Sequence, residues 1–418
     1  MQSAMTLGGG SVASCAVLGS LFGYKYLWVQ IVAMMLGLVV LACIAKQTTN
    51  SGERTYGVFW RELHPSLAIL WAVSALVATI LWHIPQYSLT ANGLITLAEG
   101  LKMDLDYTGA RIGMGAIVLT SAAYMVYVYH SGRKGLKIYE NAIKVLIWLI
   151  VAAFGIAAFT GEPIAWKELF KGLFGITFLV EGFEQGVALK PVVAALAAAV
   201  GINMIFLYPY SLLERGWGKE HKELAYVDLL SGMAFPFIVA TSLMIIAVAK
   251  TLGPEPGVIG TEAIRDVRQI IPVLSASLGD GMARLIVGLG VTAIGFSTIT
   301  THMLAAGFIG CEMFGMKHEG KAKWMFSFLP AIGVIGVVIK FPIPLAITAS
   351  TLAMPLMPVT VLCFMILLNR RSYMGEAMPE GKIRILWNVL MTTAIVIMTA
   401  AAYYAIQNNW ASLQGLLS

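Results

Sequence analysis

The 418-residue chain is 58% hydrophobic and only 12% charged, whereas an average soluble domain is about 45–50% apolar and about 25% charged. A soluble fold of this size would have too little polar surface to cover itself, which excludes a soluble enzyme. The formal charge of +6 is explained by the basic loops described below and indicates no nucleic-acid partner. The chain is therefore predicted to be an all-α integral membrane protein whose partner is the lipid bilayer.

The first predicted segment covers residues 5–24, which are apolar but rich in glycine and follow Met1 closely. This segment is expected to supply only a partial crossing, and no basic stretch precedes it, so no cleaved signal peptide is predicted. Ten further stretches are long and apolar enough to cross a bilayer as helices, which gives about eleven transmembrane segments. The ten are residues 26–45, 65–84, 109–130, 145–160, 191–213, 227–249, 285–310, 324–342, 344–368 and 385–407.

Lys and Arg residues are concentrated in alternate loops. Cytoplasmic loops next to membrane spans collect basic residues, so these loops are predicted to be cytoplasmic. The first segment is then a half-helix that starts near the middle of the bilayer and runs outward. The basic loops contain Lys46, Arg54, Arg61, Arg133, Lys134, Lys137, Lys144, Arg215, Lys219, Lys222, Lys317, Lys321, Lys323, Arg370, Arg371, Lys382 and Arg384.

No Asp or Glu falls near the middle of a predicted span. Carboxylates inside a membrane usually mark cation binding or proton relay, so a proton pump or a carboxylate-rich divalent site is not expected. His83 and His302 lie at or within spans, and a His can couple protons to transport because it titrates near physiological pH. The alternative, which the pattern favours, is an interfacial or packing role for each of them.

Two predicted segments are interrupted by glycine and proline, and they are five segments apart. Paired breaks at matching positions mark the substrate site of transporters built from five-plus-five inverted repeats, because unwound backbone is tolerated only where it lines a cavity. The alternative is that these small residues only allow close helix packing. The interruptions are Gly8, Gly9, Gly10 and Ser11 in the first segment and Gly201, Asn203, Tyr208, Pro209 and Tyr210 in the sixth.

The sequence contains no nucleotide-binding loop and no nucleophile with a partnered base, so neither an enzyme nor an ATP-driven pump is predicted. Its cysteines are scattered singly in apolar runs and lack the spacing of a metal site, so no cofactor is predicted. A secondary carrier that works by alternating access fits the pattern, and no oligomeric state follows from it. The cysteines are Cys15, Cys43, Cys311 and Cys363.

Five stretches resemble, in order along the chain, the NRAMP (natural resistance-associated macrophage protein) family of divalent-metal transporters. The resemblance implies a single transporter domain over residues 1–418 with a LeuT-like fold, and a bacterial plasma membrane is the expected location. Its repeats would cover about 1–160 and about 190–368, followed by an additional helix at about 385–407. The stretches are FGYKYLW (22–28), GLKIYENAIK (135–144), LYPYSLLERG (207–216), GFSTITTHMLAAGFIGCEMF (295–314) and PLAITASTLAMPLMPVTVLCFMILLNRRSYMG (344–375).

The residues that bind metal in this family are replaced here. Counting back from FGY, the family's DPGN motif falls on Gly8–Ser11, and counting back from LYPYS, its MPH motif falls on Asn203–Ile205. The methionine position is thus Asn203, and an acidic pair of the third helix falls on Ile80 and His83. The resemblance therefore predicts a divergent member that lacks every charged or soft ligand of the family.

Two kinds of substrate remain open. Ser11, Asn203 and neighbouring carbonyls, with Met204 beside them, would form a weak, neutral metal site with altered or lost preference for Mn²⁺ and Fe²⁺. Alternatively, the N–H groups of Gly8–Gly10 at the start of a half-helix would hold a neutral or carboxylate-bearing solute, with Ser11 and Asn203 as hydrogen-bonding partners and Tyr208 or Tyr210 as a wall residue. A third hypothesis is a sensor or scaffold that transports nothing.

Overall fold

The computed structural model describes residues 2–177, 189–255, 258–260, 262–318 and 320–417. Within these ranges the chain is helical, with no strand. The helices are α1 Gln2–Thr6, α2 Gly9–Phe22, α3 Trp28–Ser51, α4 Thr55–Val58, α5 Pro65–Gly100, α6 Thr108–His130, α7 Arg133–Phe159, α8 Trp166–Leu173, α9 Leu189–Ala199, α10 Ile202–Glu214, α11 Lys222–Leu229, α12 Phe235–Leu252, α13 Ile271–Leu278, α14 Asp280–Met313, α15 Gly320–Phe326, α16 Pro342–Ala353, α17 Pro358–Leu368, α18 Arg371–Met374 and α19 Gly381–Leu417.

The helices confirm the all-α polytopic fold class. In the described residues, nine helices or continuous helical stretches are long and apolar enough to cross a membrane, and the pair α16 and α17, bent by 41°, makes a tenth. The shorter apolar helix α2 follows the break after α1 and corresponds to the predicted partial first crossing. The structure thus contains the eleven predicted segments.

Two helices are longer than the predicted spans. Helix α5 has 36 residues where residues 65–84 were predicted, because its second half is polar but buried. Pro85 lies inside this helix without ending it. Helix α7 begins at Arg133, twelve residues before the predicted start at 145, because a helix can extend its charged first turns beyond the apolar layer. Hydrophobic length predicts the apolar part of a helix, and it misses the polar turns that continue the helix at either end.

Helices α5 and α14 form the longest helix contact of the bundle. Glycines allow this close approach: a Cβ atom on Gly93 would lie 2.6 Å from the backbone nitrogen of Thr292, and one on Gly288 would lie 2.8 Å from Leu97 Cγ. The half-helix α2 packs against α9, α12 and α16 on another side of the bundle. The first broken helix is therefore surrounded by other helices.

The predicted cytoplasmic loops lie together at one end of the bundle. Glu62 accepts a hydrogen bond from the Ser372 hydroxyl at 2.9 Å, and Arg215 forms ion pairs with Glu140 at 2.6 Å and Asp228 at 2.9 Å. Ser372 and the neighbouring Arg61 hold the pKa of Glu62 below its usual range. These contacts join four loops that are distant in sequence, which is the arrangement that the charge pattern predicts.

A buried arginine organises the opposite end. Arg111 is 1% exposed; it donates hydrogen bonds to Asp106 at 2.7 Å, to the Val337 carbonyl at 3.0 Å and to Asn92 Oδ1 at 3.0 Å. Asn92 in turn donates to Asp266 at 2.6 Å. Burial raises the pKa of Asp106, but the hydrogen bond and charge of Arg111 outweigh it and hold the pKa below its ordinary value.

Labelling of single cysteines tests the orientation. The four natural cysteines are buried, while Asp104 and Lys134 are exposed at opposite ends. We expect Asp104→Cys to react with a membrane-impermeant maleimide in intact cells, and Lys134→Cys to react only after permeabilisation. The wild-type chain is the unlabelled control, and the reverse pattern would show that the orientation is inverted.

Replacing the buried arginine tests the outer cluster. Arg111→Met leaves the Val337 carbonyl and Asn92 Oδ1 without their donor, and breaking a buried ion pair costs about 3–5 kcal/mol. We expect a clear fall in the melting temperature of the detergent-solubilised protein. Arg133→Met, at an exposed position, is the matched control and should melt like wild type. Equal melting temperatures for the two variants would contradict the role given to Arg111.

Candidate substrate site at the paired helix breaks

Two helix breaks face each other inside the bundle. The chain leaves α1 after Thr6 and enters α2 at Gly9, and it leaves α9 after Ala199 and enters α10 at Ile202. Gly8 and Gly201, which precede the two new helices, both have extended backbone. The predicted break in the sixth segment is therefore placed at Gly201, and Pro209 is helical and not a break. A proline inside a membrane helix is tolerated where neighbours satisfy the freed backbone.

A closed cavity of about 20 Å³ lies between the breaks, which is room for one or two water molecules. Ser11, Asn203 and His302 line it and are 1%, 2% and 3% exposed, so the cavity is shut off from both ends of the bundle. Four elements form its wall: the first break, the second break, α5 and α14. Its lining residues are Met5, Gly8, Gly10, Ser11, Trp82, Gln86, Ala198, Gly201, Asn203, Met204, Thr298 and His302.

Most of the predicted site residues meet at this cavity, but three do not line it: Gly9, Tyr208 and His83. Gly9 does not face the cavity, and its N–H donates a hydrogen bond to Gln86 Oε1 at 3.0 Å. Tyr208 lies more than one helical turn further along α10, with its hydroxyl buried and without a hydrogen-bond partner among the described residues. The prediction that Tyr208 is a wall residue is not met in this conformation, because the break is at Gly201 and not beside Pro209.

The oxygen atoms around the cavity already make hydrogen bonds within the protein. The Ser11 hydroxyl donates to the Thr6 carbonyl, and the Thr298 hydroxyl donates to the Ala4 carbonyl at 2.9 Å. Asn203 Oδ1 accepts from the Met204 N–H at 2.8 Å. These side chains satisfy backbone groups that the breaks leave unpaired, as a membrane interior requires.

His83 and His302 form a buried pair. Their Nδ1 atoms are 3.4 Å apart and their ring centroids 5.6 Å apart. In the neutral pair one Nδ1 must carry the proton that the other accepts, so the contact fixes opposite tautomers. His83 is 0% exposed and packs against His302 in the protein interior. His302 alone of the two lines the cavity.

The cavity lining contains two methionines and no carboxylate. Among the described residues no three His, Cys, Asp or Glu lie together as a metal site would require. Met5 and Met204, however, are both lining residues. Sequence counting put Asn203 at the methionine position and concluded that softness was lost. The first turn of α10 instead brings both Asn203 and Met204 to the break, so a thioether is present.

Sequence analysis missed Trp82, Gln86 and Met5. Trp82 donates from Nε1 to the Ser350 hydroxyl at 3.0 Å, and an added Cβ on Gly201 would lie 2.7 Å from its ring. Polar and aromatic residues inside a predicted span were the available signal. Whether these residues face the cavity depends on how α5 packs against the two breaks. That packing is set by residues distant in sequence, so the local sequence does not reveal it.

An all-helical bundle with two broken helices around a sealed, buried cavity defines a membrane carrier. Over residues 1–408 the chain matches the Nramp family, described as natural resistance-associated macrophage protein-like. The chain belongs to this family, as the sequence motifs predicted. It is a multi-pass integral membrane protein and not an enzyme.

Curated relatives include two proteins named divalent metal cation transporter MntH. The one from Chromohalobacter salexigens is 24% identical over 388 residues, covering 88% of this chain and 83% of its own. The one from Bacillus subtilis is 26% identical over 308 residues, covering 72% and 67%. The expected location in a bacterial plasma membrane agrees with these bacterial relatives.

Solved structures show the same fold. A manganese transporter variant from Eremococcus coleocola superposes with a TM-score of 0.77 at 15% identity, covering 99% of this chain and 86% of that one. Mhp1, a nucleobase–cation symporter, superposes with a TM-score of 0.58 at 11% identity, covering 97% and 91%. The predicted LeuT-like arrangement is confirmed.

Proposed function

We propose that the chain is a secondary transporter of a metal cation that works by alternating access around the cavity between the two helix breaks. The observation that carries this proposal is the meeting of Gly8 and Gly201, each the start of a half-helix, at one sealed cavity. Membership of the Nramp family and the names of the MntH relatives support a metal cation as the substrate.

The size of the cavity favours an ion over an organic solute. A volume of about 20 Å³ accommodates a dehydrated or nearly dehydrated ion, whereas small-molecule pockets are usually hundreds of Å³. The glycine run is also less available to a carboxylate than the sequence suggested. The Gly9 N–H is taken by Gln86, and a Cβ on Gly10 would lie 2.7 Å from Ser350 Oγ. The glycines therefore serve close packing at the break.

Access to the cavity requires the bundle to open at one end. On the cytoplasmic side, the Tyr210 hydroxyl accepts a hydrogen bond from the Tyr56 N–H at 3.3 Å, and its ring packs against Phe308 at 5.3 Å between centroids. These contacts join α10 to α4 and α14 below the cavity. Movement of α10 at its Gly201 hinge would separate them and open the site to the cytoplasm.

We propose that this chain selects different metal ions from family members whose metal site contains carboxylates. Hard divalent ions such as Mg²⁺ and Ca²⁺ prefer carboxylate and carbonyl oxygen, and the cavity has no carboxylate in its wall. The titratable group at its edge is the pair His83 and His302, which can hold one shared proton. This pair is our candidate for coupling transport to protons.

Uptake into proteoliposomes tests the proposal. We expect the wild-type chain to carry at least one ion from a panel of Mn²⁺, Zn²⁺, Cd²⁺, Mg²⁺ and Cu⁺, detected by trapped metal-sensitive dyes. Gly10→Val should abolish this uptake, because an added side chain would meet Ser350 Oγ at 2.7 Å and the Ala198 Cβ at 2.9 Å.

The matched control is Gly113→Val, also a helical glycine in a predicted span, where an added Cβ meets nothing within 4 Å. It should transport like wild type, and both variants should elute as folded protein in gel filtration. Uptake that survives Gly10→Val would place the pathway elsewhere. Absence of uptake of every ion by folded wild-type protein would overturn metal transport and leave the organic-solute and scaffold hypotheses.

A further inference from the structure

We propose that the cavity between the breaks is a site for the soft monovalent ion Cu⁺, with the His302 imidazole and the thioethers of Met5 and Met204 as ligands. This inference rests on the proposed function and narrows its substrate. The three side chains come from α14, α1 and α10, and all line the same cavity of about 20 Å³. Met5 lies outside the family-like stretches described above, and the resemblance assigns no ligand role to His302.

The hydrogen bonds around the cavity hold its oxygen atoms in place. The hydroxyls of Ser11 and Thr298 donate to backbone carbonyls, and the amide oxygens of Gln86 and Asn203 accept from backbone N–H groups at the breaks. Met5, Met204 and His302 add thioether sulfur and imidazole nitrogen, which are the softest donor types that the lining residues offer. Such ligands select soft and borderline ions, and thioethers in particular select Cu⁺.

The charge of the cavity favours a monovalent ion. Its wall contains no carboxylate, and its lining is buried, so an ion must exchange its hydration shell for neutral ligands. The cost of burying an ion rises with the square of its charge, so a monovalent ion loses about a quarter as much as a divalent ion of the same size. Cu⁺ also needs no retained water, unlike Mg²⁺, and so fits a cavity with room for one or two water molecules.

His83 positions the ligand. Its Nδ1 lies 3.4 Å from His302 Nδ1. The proposal requires the tautomer in which His302 Nδ1 carries the shared proton, because the Nε2 lone pair of His302 is then available to an ion. A partner on the second ring nitrogen fixes both the tautomer and the orientation of a metal-binding His. Gly333 packs closely here, since a Cβ on it would lie 2.9 Å from His83 Cδ2. The packing of Gly333 against His83 therefore restricts the position of the His83 and His302 pair.

The aromatic ring of Trp82 also favours a cation in the cavity. Its ring lines the cavity, and its Nε1 hydrogen bond to Ser350 at 3.0 Å fixes the ring. Aromatic rings attract cations through their quadrupole, most strongly for Trp. Trp82 thus stabilises a cation in the cavity without supplying a ligand atom.

Competition with a chromophoric Cu⁺ chelator tests the site on the purified full chain under anaerobic, reducing conditions. We expect one Cu⁺ per chain, and a loss of affinity of at least about tenfold for Met204→Leu, for Met5→Leu and for His302→Gln. Met303→Leu is the matched control, because Met303 is equally buried and next to His302 but does not line the cavity. It should bind like wild type.

X-ray absorption spectroscopy of the bound Cu⁺ identifies the types of atoms that coordinate the ion. This measurement distinguishes the loss of one ligand from a general loss of protein stability. We expect sulfur and nitrogen scatterers in wild type and a loss of the nitrogen scatterer in His302→Gln. In His83→Gln the nitrogen shell should remain but become more disordered, because the ring is no longer held. A variant with all four cysteines replaced by Ala must keep the ion, and loss of binding in that variant would overturn the proposal.

The outcomes separate this inference from the proposed function. Uptake of Mn²⁺ or Zn²⁺ without Cu⁺ binding would uphold metal transport and overturn the Cu⁺ site. Cu⁺ binding that Met204→Leu and His302→Gln leave unchanged would also overturn it, since the ion would then lie elsewhere. Cu⁺ binding at the cavity together with Cu⁺ uptake supports both.

Discussion

The structure depends on satisfying backbone hydrogen bonds where two helices stop inside a membrane. Lipid offers no partners to an unwound backbone, so the protein must supply them. Gln86 accepts from Gly9, Ser11 donates to Thr6, and Asn203 accepts from the first turn of α10. The polar side chains at the cavity are therefore first of all parts of the breaks. Their hydrogen bonds fix the direction in which the remaining lone pairs of these oxygens can meet a ligand.

The distribution of charge follows from the same constraint. Buried ion pairs lie at the two ends of the bundle: Arg111 with Asp106 on one side, and Lys323 with Glu214 on the other. Lys323 is 3% exposed and lies 3.8 Å from the centre of the Phe308 ring, so its ammonium is stabilised by both a carboxylate and an aromatic face. Among the described residues, the wall of the cavity between these two ends contains no Asp, Glu, Lys or Arg. An ion that enters it has to exchange its hydration shell for neutral ligands.

Much of the fold was predictable from the sequence, because hydrophobic length and the positions of Lys and Arg respond directly to the bilayer. The first break was predictable too, since Gly8 interrupts the helix and lies a short, ungapped distance before the FGY motif. The second break was ambiguous between Gly201 and Pro209, because both residues weaken a helix and only packing decides. Trp82, Gln86 and Met5 could not be predicted as site residues, since their approach to the cavity depends on contacts between helices distant in sequence.

The length of helix α5 allows it to connect two distant parts of the protein. With 36 residues it is about 54 Å long, nearly twice the thickness of the hydrocarbon layer. It carries Trp82 and His83 at the level of the cavity and Asn92 in the outer arginine cluster. The same helix therefore contributes both to the wall of the cavity and to the hydrogen bonds of the outer arginine cluster. Any change in its tilt would alter both places together, because one continuous helix connects them.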